Sequence, residues 1–381
     1  MMWGNGRLRE RETQWLRAGV TLSGAYLLWR AFRWTREEDL RGKVVFITGG
    51  SRGLGLVMAR AFAARGCRLA ICARDDKALA RAREELSEAG TEVWSRVCDV
   101  ADEQQVKSTV DEALAFFGHI DIVVNNAGII QVGPLETMSL ADFGRAMGTN
   151  FWGALHVIDA VLPSLRQRRT GHILNIVSIG GAVAVPHLLP YAAAKAALLR
   201  FSEGSAAELA KDGIRVSTVV PGLMRTGSPV NALFKGDRAK ELAWFSASDC
   251  WPVMSISAPR AARQIVKQAR GSGGTLVISW PAKLLRFAHA VAPNLTTTVL
   301  GWANRVLPAA PVHPDASLRL SVRGMHVQDE APQATEHAPR LETLARELNQ
   351  FGGHVQPRTP ELPPTHGEGQ EVKANAERGD A

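Results

Sequence analysis

The sequence predicts an α/β fold in which a doubly wound, parallel, seven-stranded sheet carries helices on both faces. Short runs rich in β-branched residues alternate with Ala- and Leu-rich segments of helical spacing, a pattern typical of successive βα units. A hydrophobic fraction of 46% is enough for a packed core. Right-handed crossovers then place ligand sites at the carboxyl ends of the strands. The predicted strands are 44–47, 68–72, 92–97, 121–124, 172–177, 214–220 and 275–279, and the predicted helices are 54–65, 76–89, 102–117, 140–165, 191–211 and 258–270.

The segment 1–40, ahead of the first strand, is basic and apolar. Seven arginines stand against two acidic residues in 1–36, and a charge-free run extends from Ala18 to Trp29. As a helix this run would be about 18 Å long, short of the roughly 30 Å hydrocarbon core of a bilayer. We interpret it as a membrane anchor that spans or lies flat, with a cleaved leader or a surface helix as alternatives. Its arginine-rich flank favours a main domain in the cytosol.

The first strand runs directly into the glycine-rich turn "TGGSRGLG" (48–55). Gly49, Gly53 and Gly55 lack a Cβ, so they allow a tight turn and a close approach of backbone to a pyrophosphate. The following helix points its free N–H groups at that anion. Because the turn stands at the start of a long βα array, it predicts a dinucleotide site.

The residues at the end of the second strand indicate which dinucleotide binds. NAD-binding folds place an acidic residue there, on the ribose 2′-hydroxyl. In "ICARDD" that place falls on Ala73, and Arg74 follows; Arg52 lies in the glycine turn. Two guanidiniums could hold a 2′-phosphate that a carboxylate would repel. We therefore predict NADP(H), with NAD(H) as the alternative, because Asp75 and Asp76 follow closely and an error in the register would restore an acid at this place.

One of the chain's two tyrosines lies four residues before a lysine, in "PYAAAK". On a helix Tyr191 and Lys195 share one face, and Pro190 suits the first helical turn. A phenol with a pKa near 10 exchanges protons poorly at neutral pH, and a neighbouring cation would lower that pKa. Ser178 follows a predicted strand at the carboxyl edge of the sheet, so its hydroxyl can donate to a carbonyl oxygen. The spacing predicts proton transfer beside the dinucleotide.

These motifs together resemble the short-chain dehydrogenase/reductase family in its compact form of about 250 residues, over roughly 41–280. The resemblance implies a Rossmann fold. The matching segments are "TGGSRGLG" (48–55), "CDV" (98–100), "NNAG" (125–128), "TNFWG" (149–153), Ser178 with "YAAAK" (191–195), and "PGLMRT" (221–226).

The resemblance also implies a role for each matching residue. Ser178 polarises a carbonyl, Tyr191 transfers the proton, Lys195 binds the nicotinamide ribose and lowers the pKa of Tyr191, and Asn150 holds a relay water. Asn125 is expected only to tie strands together. The cofactor-binding residues implied are Gly49, Ser51, Arg52, Gly53, Leu54, Gly55, Arg74, Asp99, Asn126, Ala127, Gly128, Tyr191, Lys195, Pro221, Gly222 and Thr226.

We divide the chain into one catalytic domain, 41–282, with terminal extensions. After it, 283–308 is predicted as two amphipathic helices broken at Pro293, and 309–381, rich in Pro, Gly and charge, as a mostly disordered tail. A lid is expected between Thr226 and Pro259. By the simpler interpretation the apolar residues of this lid only pack against the domain. They also suggest a lipophilic substrate. They are Leu233, Phe234, Leu242, Trp244, Phe245 and Trp251.

The predicted activity is hydride transfer between nicotinamide and a carbonyl or secondary alcohol, as an NADPH-dependent reductase. A non-catalytic NADP-binding sensor or scaffold and an epimerase or dehydratase are the alternatives. Expected partners are a membrane surface and further copies of the chain in a dimer or tetramer. For the localisation, a soluble cytoplasmic protein is the alternative to a membrane-associated one. We expect no nucleic acid, because no basic stripe is interleaved with aromatics, and no metal. The four cysteines are expected to be buried, reduced thiols: Cys67, Cys72, Cys98 and Cys250.

Overall fold

A computed structural model describes residues 38–251, 254–310, 320–335 and 341–350. Its centre is a seven-stranded sheet in which all neighbouring strands are parallel, so the predicted fold class is confirmed. The strands are β1 Val44–Thr48, β2 Arg68–Ala73, β3 Val93–Val97, β4 Ile122–Asn125, β6 Gly171–Ile176, β7 Ile214–Pro221 and β11 Gly274–Ile278. Shorter strands are β5 Gln131–Val132, β8 Leu223–Arg225, β9 Leu233–Phe234, β10 Ser255–Ser257 and β12 Val322–Arg323.

Helices cover both faces of the central sheet. The helices in chain order are α1 Gly53–Ala63, α2 Asp76–Glu88, α3 Glu103–Phe117, α4 Leu140–Met147, α5 Gly153–Arg168, α6 Ile179–Ala182, α7 Leu189–Leu209, α8 Arg238–Cys250, α9 Ala258–Ala269, α10 Trp280–Val291, α11 Pro293–Asn304, α12 Gly324–Glu330 and α13 Leu341–Glu347. One face packs apolar side chains of α1, α2 and α9 on the sheet, and the opposite face packs those of α3 and α5. Strands buried on both faces read as continuous apolar runs rather than alternating ones, as the sequence has them.

The order of the strands places the ligand site. Along the sheet the order is β11, β7, β6, β4, β1, β2, β3, so the chain winds outward in opposite directions from the β1–β4 boundary. The loops after β1 and β4 therefore diverge and leave a crevice at the carboxyl ends of these two strands. The glycine turn follows β1 and "NNAG" ends β4, which brings both motifs to this crevice.

The helix predicted over 140–165 is interrupted in the structure. A π-helical turn, Gly148–Trp152, separates α4 from α5 and carries Asn150. Such turns insert one extra residue and are frequent at functional sites. Helical spacing alone could not distinguish one long helix from two short helices joined in this way.

The predicted terminal segments are described only in part. The predicted anchor in 1–40 lies almost wholly outside the described residues, and among the described helices none is long and apolar enough to cross a bilayer. Two helices, α10 and α11, meet at Ala292 and Pro293.

Two stretches of the predicted tail, 320–335 and 341–350, are among the described residues and pack on the catalytic domain. Strand β12 pairs with β9, and α12 packs its Val327 into the same cluster as Phe234. Helix α13 buries Leu341 and Ala345, and the residues after it bury Leu348. Apolar residues too sparse to signal a core of their own are buried here against the catalytic domain.

Three of the four cysteines are free, buried thiols, as expected: Cys67, Cys72 and Cys98. The side chain of Cys250 lies outside the described part of the chain.

Candidate active site

The glycine turn after β1 is held tightly against β2. The N–H groups of Gly49 and Gly50 both donate to the carbonyl of Cys72, at 2.8 and 3.2 Å. Gly49 has φ +64°, in the left-handed region that favours glycine. At Gly55 a Cβ would lie 2.0 Å from the Gly49 carbonyl oxygen, so only glycine lets α1 start this close to the strand. The turn thereby leads straight into the N-terminus of α1.

The segment after β4 is fastened to the same turn. The Thr48 hydroxyl accepts hydrogen bonds from the N–H groups of Asn126 and Ala127, each at 3.0 Å. The Asn126 amide donates to the Thr48 carbonyl at 3.0 Å, so this side chain shapes the crevice. Asn125 donates to Asn175 on β6 at 2.9 Å, which is the strand-tying bond expected of it.

Arginines gather at the outer end of the crevice. Strand β2 ends at Ala73, and Arg74 follows it. Burial lowers the pKa of Arg52, and the charges of Arg323 and Arg74 lower it further, against an opposing effect of Asp75. Arg74 and Arg323 are thus each close enough to act on Arg52, and Arg323 comes from the tail.

The acidic residues near these arginines already have structural tasks. The Asp75 carboxylate accepts from the N–H of Ala78 at 3.0 Å and caps α2, which is why it does not lie at the strand end. Asp99 lies 3.6 Å from Arg74 and accepts from the N–H of Ala101 at 3.0 Å. No register shift brings an acid to the end of β2.

The far wall of the crevice is the loop after β7. Gly222 follows Pro221 and faces α10: a Cβ there would lie 2.6 Å from the Ser279 hydroxyl. The Thr226 hydroxyl accepts from the N–H of Ser228 at 3.3 Å. Of the predicted residues in the turn, Ser51 is buried and Leu54 packs into the core.

The predicted catalytic residues meet at the carboxyl edge of β6. Ser178 follows this strand and caps α6, its hydroxyl accepting from the N–H of Gly180 at 3.1 Å. A Cβ on Gly180 would lie 3.5 Å from the Ser178 hydroxyl and 3.6 Å from a ring carbon of Tyr191. Ser178 and Tyr191 therefore flank the same glycine, as the strand-end position and the helix start predicted.

Lys195 lies one turn further along α7 and is buried. Its Nζ donates to the carbonyl of Ile176 at 2.8 Å and lies 5.9 Å from the centroid of the Tyr191 ring. Asn150 bridges α4 to the residues after β4, since its amide donates to the carbonyls of Ile129 and Ala146. The Cβ position of Gly128 is 2.6 Å from Asn150 Oδ1 and 3.6 Å from Lys195 Nζ, so the two side chains converge on it.

The expected effect of Lys195 on Tyr191 does not appear in the structure. Burial raises the pKa of Tyr191, a hydrogen bond with Ser178 opposes this, and the charge of Asp249 raises the pKa further. Burial also lowers the pKa of Lys195 to about 8. The prediction of a lowered tyrosine pKa is wrong for this state, because removal from water costs tyrosinate more than the hydrogen bond with Ser178 returns.

Asp249 is a residue of this site that the sequence did not indicate. It is buried at the end of α8, and burial raises its pKa to about 7. Its carboxyl group accepts from the N–H of Met224 at 3.3 Å and the hydroxyl of Ser228 at 3.4 Å, so it braces the loop that contains Thr226. Lone aspartates are common in sequences, and only the fold brings this one near Tyr191.

The lid contains fewer free apolar groups than its sequence suggested. Phe234, Leu242 and Phe245 pack together in a core cluster, which bears out the simpler packing interpretation. His187 and Trp244 remain beside α7: both bond to the buried carboxylate of Glu241, at 2.8 and 2.6 Å.

The crevice has the features that a dinucleotide requires. Its wall has no Cβ at Gly49, where one would come within 3.1 Å of the Ala127 backbone, and the first turn of α1 opens onto it. Arginines lie at one end and the Ser178–Tyr191–Lys195 group at the other. Between them lie the glycine turn and the N-terminus of α1, the kinds of backbone N–H groups that bind a pyrophosphate.

Comparison with known proteins gives a consistent result. The family model "short chain dehydrogenase" matches residues 43–233. Dehydrogenase/reductase SDR family member 7B of Bos taurus is 36% identical over 217 residues, which cover 55% of this chain and 67% of that protein. A Streptomyces coelicolor protein named for ketoacyl reduction is 37% identical over 188 residues, 48% of this chain and 71% of its own.

Solved structures resemble the fold over most of their own length. A short-chain dehydrogenase from Streptomyces avermitilis superposes with a TM-score of 0.61 at 27% identity, covering 69% of this chain and 98% of that one. NAD+-bound xylitol dehydrogenase superposes with a TM-score of 0.55 at 28% identity, covering 63% and 99%.

Proposed function

The chain belongs to the short-chain dehydrogenase family, an oxidoreductase family, and on that premise we propose that it is an NADPH-dependent reductase of a lipophilic carbonyl compound. The observation that carries this proposal is the meeting of Ser178, Tyr191, Lys195 and Asn150 beside the glycine turn. A purely structural tyrosine and lysine would not need a glycine between Tyr191 and Ser178, where a substrate oxygen can enter.

The chain's own residues would supply orientation and a proton. The Ser178 hydroxyl donates to the substrate carbonyl oxygen and polarises the C=O bond. The Tyr191 hydroxyl gives its proton to the same oxygen as negative charge develops there. Burial raises the pKa of this hydroxyl and so favours the protonated form that a reduction uses. When bound, a reduced nicotinamide cofactor supplies the hydride that the carbonyl carbon accepts. Lys195 and Asn150 then return a proton to Tyr191 from the solvent side.

The cofactor would be held along the crevice by groups already described. Backbone N–H groups of the turn and of α1 bind the pyrophosphate, while Thr226 and Lys195 hold the nicotinamide end. For the outer end we propose a 2′-phosphate, because Arg52, Arg74 and Arg323 cluster there and Asp75 is engaged as a helix cap. The xylitol dehydrogenase similar in structure binds NAD+, so family membership alone does not decide this preference.

For the substrate we propose a lipophilic ketone or aldehyde. Leu188 and Trp244 are only partly buried on the lid side of α7 and offer mostly apolar surface. The similarity to a protein named for ketoacyl reduction supports an extended acyl chain.

We further propose that the protein works at a membrane surface from the cytosolic side. Helices α10 and α11 expose Phe287, Val291, Leu295 and Trp302 by 59 to 68%. From 280 to 306 the sequence contains no acidic residue, and Lys283, Arg286 and Arg305 are basic. An apolar face with basic flanks and tryptophans is typical of helices that lie on anionic lipid.

We also propose a dimer or tetramer formed through α5 and α7. Trp152, the last residue of the π-helical turn before α5, is 50% exposed and offers an apolar contact to a second copy. A single species with the mass of one chain in light scattering would exclude this assembly.

The test of the proposed function is a panel of lipophilic and hydrophilic aldehydes and ketones with NADPH or NADH, followed at the nicotinamide absorbance. Tyr191→Phe should lower kcat by about 10²–10⁴-fold, as loss of a general acid does, and leave cofactor affinity within about twofold. In a sensor the change would have little effect. An epimerase or dehydratase would form product with no net change in cofactor redox state.

A further inference from the structure

The C-terminal stretch 341–350 lies across the crevice that is assigned above to the cofactor. It is the last described part of the chain and consists of α13 and three residues after it. Leu341, Ala345 and Leu348 are buried, and Leu348 belongs to the same apolar cluster as Leu54 of the glycine turn. The stretch is therefore seated on the catalytic domain by buried apolar side chains.

Its polar contacts lie on one wall of the crevice at the groups that a pyrophosphate needs. The carbonyl of Leu348 accepts from the N–H of Gly53 at 2.8 Å, at the first residue of α1. The Asn349 amide donates to the carbonyl of Ser51 at 2.8 Å. The Leu348 carbonyl oxygen thus accepts the hydrogen bond of the Gly53 N–H, a helix-terminal group of the kind that binds phosphate oxygens.

Gln350 continues from this wall to the opposite one. Its Nε2 would lie 2.6 Å from a Cβ on Gly53, so the side chain rests directly on that glycine. The same Nε2 donates to the carbonyl of Thr226 at 2.7 Å, and Asn231 donates to the Gln350 carbonyl at 2.7 Å. Near Thr226, a Cβ on Gly227 would lie 2.7 Å from the backbone of Ala345. One short stretch therefore bridges the glycine turn and the nicotinamide loop.

We propose that 341–350 is an autoinhibitory strap that must leave the crevice before a dinucleotide can bind. This proposal rests on the proposed function, since it concerns the same site. Strand β12 and α12 anchor 320–335 to the domain, and only 336–340 separate them from the strap. A tether this short holds the strap at a high effective concentration, so a few hydrogen bonds suffice to compete with the cofactor.

The test measures the affinity of the full-length chain for NADPH and NADH by titration. The double variant Asn349→Ala, Gln350→Ala should bind both cofactors about tenfold more tightly, because apparent affinity falls by the fraction of chains whose crevice is open. Glu342→Gln is the matched control: Glu342 lies exposed on α13 and its described ion pair is with Arg346 in the same helix, so the affinities of this variant should equal those of the wild type. Equal or weaker binding by the double variant would overturn the strap.

Hydrogen exchange gives a second, variant-free measurement. Saturating NADPH should speed exchange of the amides in 341–350 in the wild-type chain. Slower exchange there would mean that the segment closes over bound cofactor, and the proposal would be wrong. If neither the wild type nor the double variant binds a dinucleotide, the proposed function itself fails. If both bind equally well, only the strap fails.

Discussion

At Lys195 the fold places an ammonium group where water is almost excluded. Burial lowers the pKa of this lysine to about 8, and its one described hydrogen bond goes to the Ile176 carbonyl. A charge held in this way destabilises the folded state, because the ion loses hydration that one carbonyl cannot replace. The site keeps it because a substrate and a ribose would use it, so stability is given up for function.

Lys195→Met should therefore stabilise the protein while abolishing turnover. A pKa lowered from 10.5 to about 8 corresponds to at most about 3 kcal/mol, so we expect about 1–3 kcal/mol in denaturant unfolding at pH 7 without added cofactor. Between pH 8 and 10.5 the unfolded chain binds a proton that the folded chain does not. Wild-type stability then rises with pH, and the advantage of the variant should vanish near pH 10.5.

Lys211→Met, on an exposed lysine, is the control for this measurement and should leave stability nearly unchanged. A Lys195→Met protein less stable than the wild type at pH 7 would show that the buried ammonium is fully compensated by its surroundings.

Arg74 tests the cofactor preference. Arg74→Ala should weaken NADPH binding about tenfold, the loss of roughly 1.4 kcal/mol, and leave NADH binding within about twofold. Lys77→Ala removes an exposed cation from the first turn of α2, three residues after Arg74, and controls for general charge. Equal losses for both cofactors, or an equal effect of Lys77→Ala, would remove the argument for a 2′-phosphate site.

The residues that could be predicted are those whose geometry is local. Tyr191 and Lys195 are one helical turn apart, and Ser178 follows a strand whose end is visible in the sequence. Asp249 and Gln350 reach the same crevice from the lid and from the tail, and no spacing rule connects them to Tyr191. The predicted pKa of Tyr191 failed for a similar reason: the sequence shows a neighbouring charge, whereas the depth of burial is set by the whole fold.

At the scale of elements, inner strands such as β1 and β4 were predictable because they are buried on both faces and so form apolar runs, whereas the edge strands β3 and β11 are only partly buried. The π-helical turn before α5 was not predictable, since its single extra residue leaves the apolar spacing on either side intact. Strands β5, β8, β9, β10 and β12, of two or three residues each, are too short to show a period.

The contact between α1 and β1 is the junction on which the crevice depends. Gly55→Ala should cost about 2–3 kcal/mol in unfolding free energy and also weaken dinucleotide binding, because its Cβ would lie 2.0 Å from a backbone oxygen that cannot move alone. Gly204→Ala, in the middle of α7 with no atom within 4 Å of the new Cβ, is the matched control. It should be stabilising by about 0.5–1 kcal/mol. A Gly55→Ala variant as stable as the wild type would show that α1 can shift to make room for the Cβ. The crevice would then not depend on the close approach of α1 to β1.

At the scale of the whole molecule, the exposed apolar groups are unevenly distributed. Helices α10 and α11 lie beside β11, at one edge of the central sheet, and α10 contributes Ala282 to the core. The crevice opens along the carboxyl ends of the strands, so a lipid surface under α10 and α11 would lie near the lid. A lipophilic substrate could then reach the site without crossing bulk water.

This arrangement predicts a local response to lipid. An environment-sensitive dye on Val291→Cys, at a position 68% exposed on α10, should shift to the blue when vesicles of mixed neutral and anionic lipid are added to the full-length chain. The same dye on Phe116→Cys, at a position 53% exposed on α3, should not respond, because α3 joins β3 to β4, away from β11. Neutral vesicles should give a smaller shift, since the basic flanks contribute attraction only to anionic lipid. The dye at position 116 is the control, because it should stay unchanged when the protein binds vesicles through α10. If the protein binds vesicles and the dye at position 291 does not shift, α10 and α11 face something other than the bilayer.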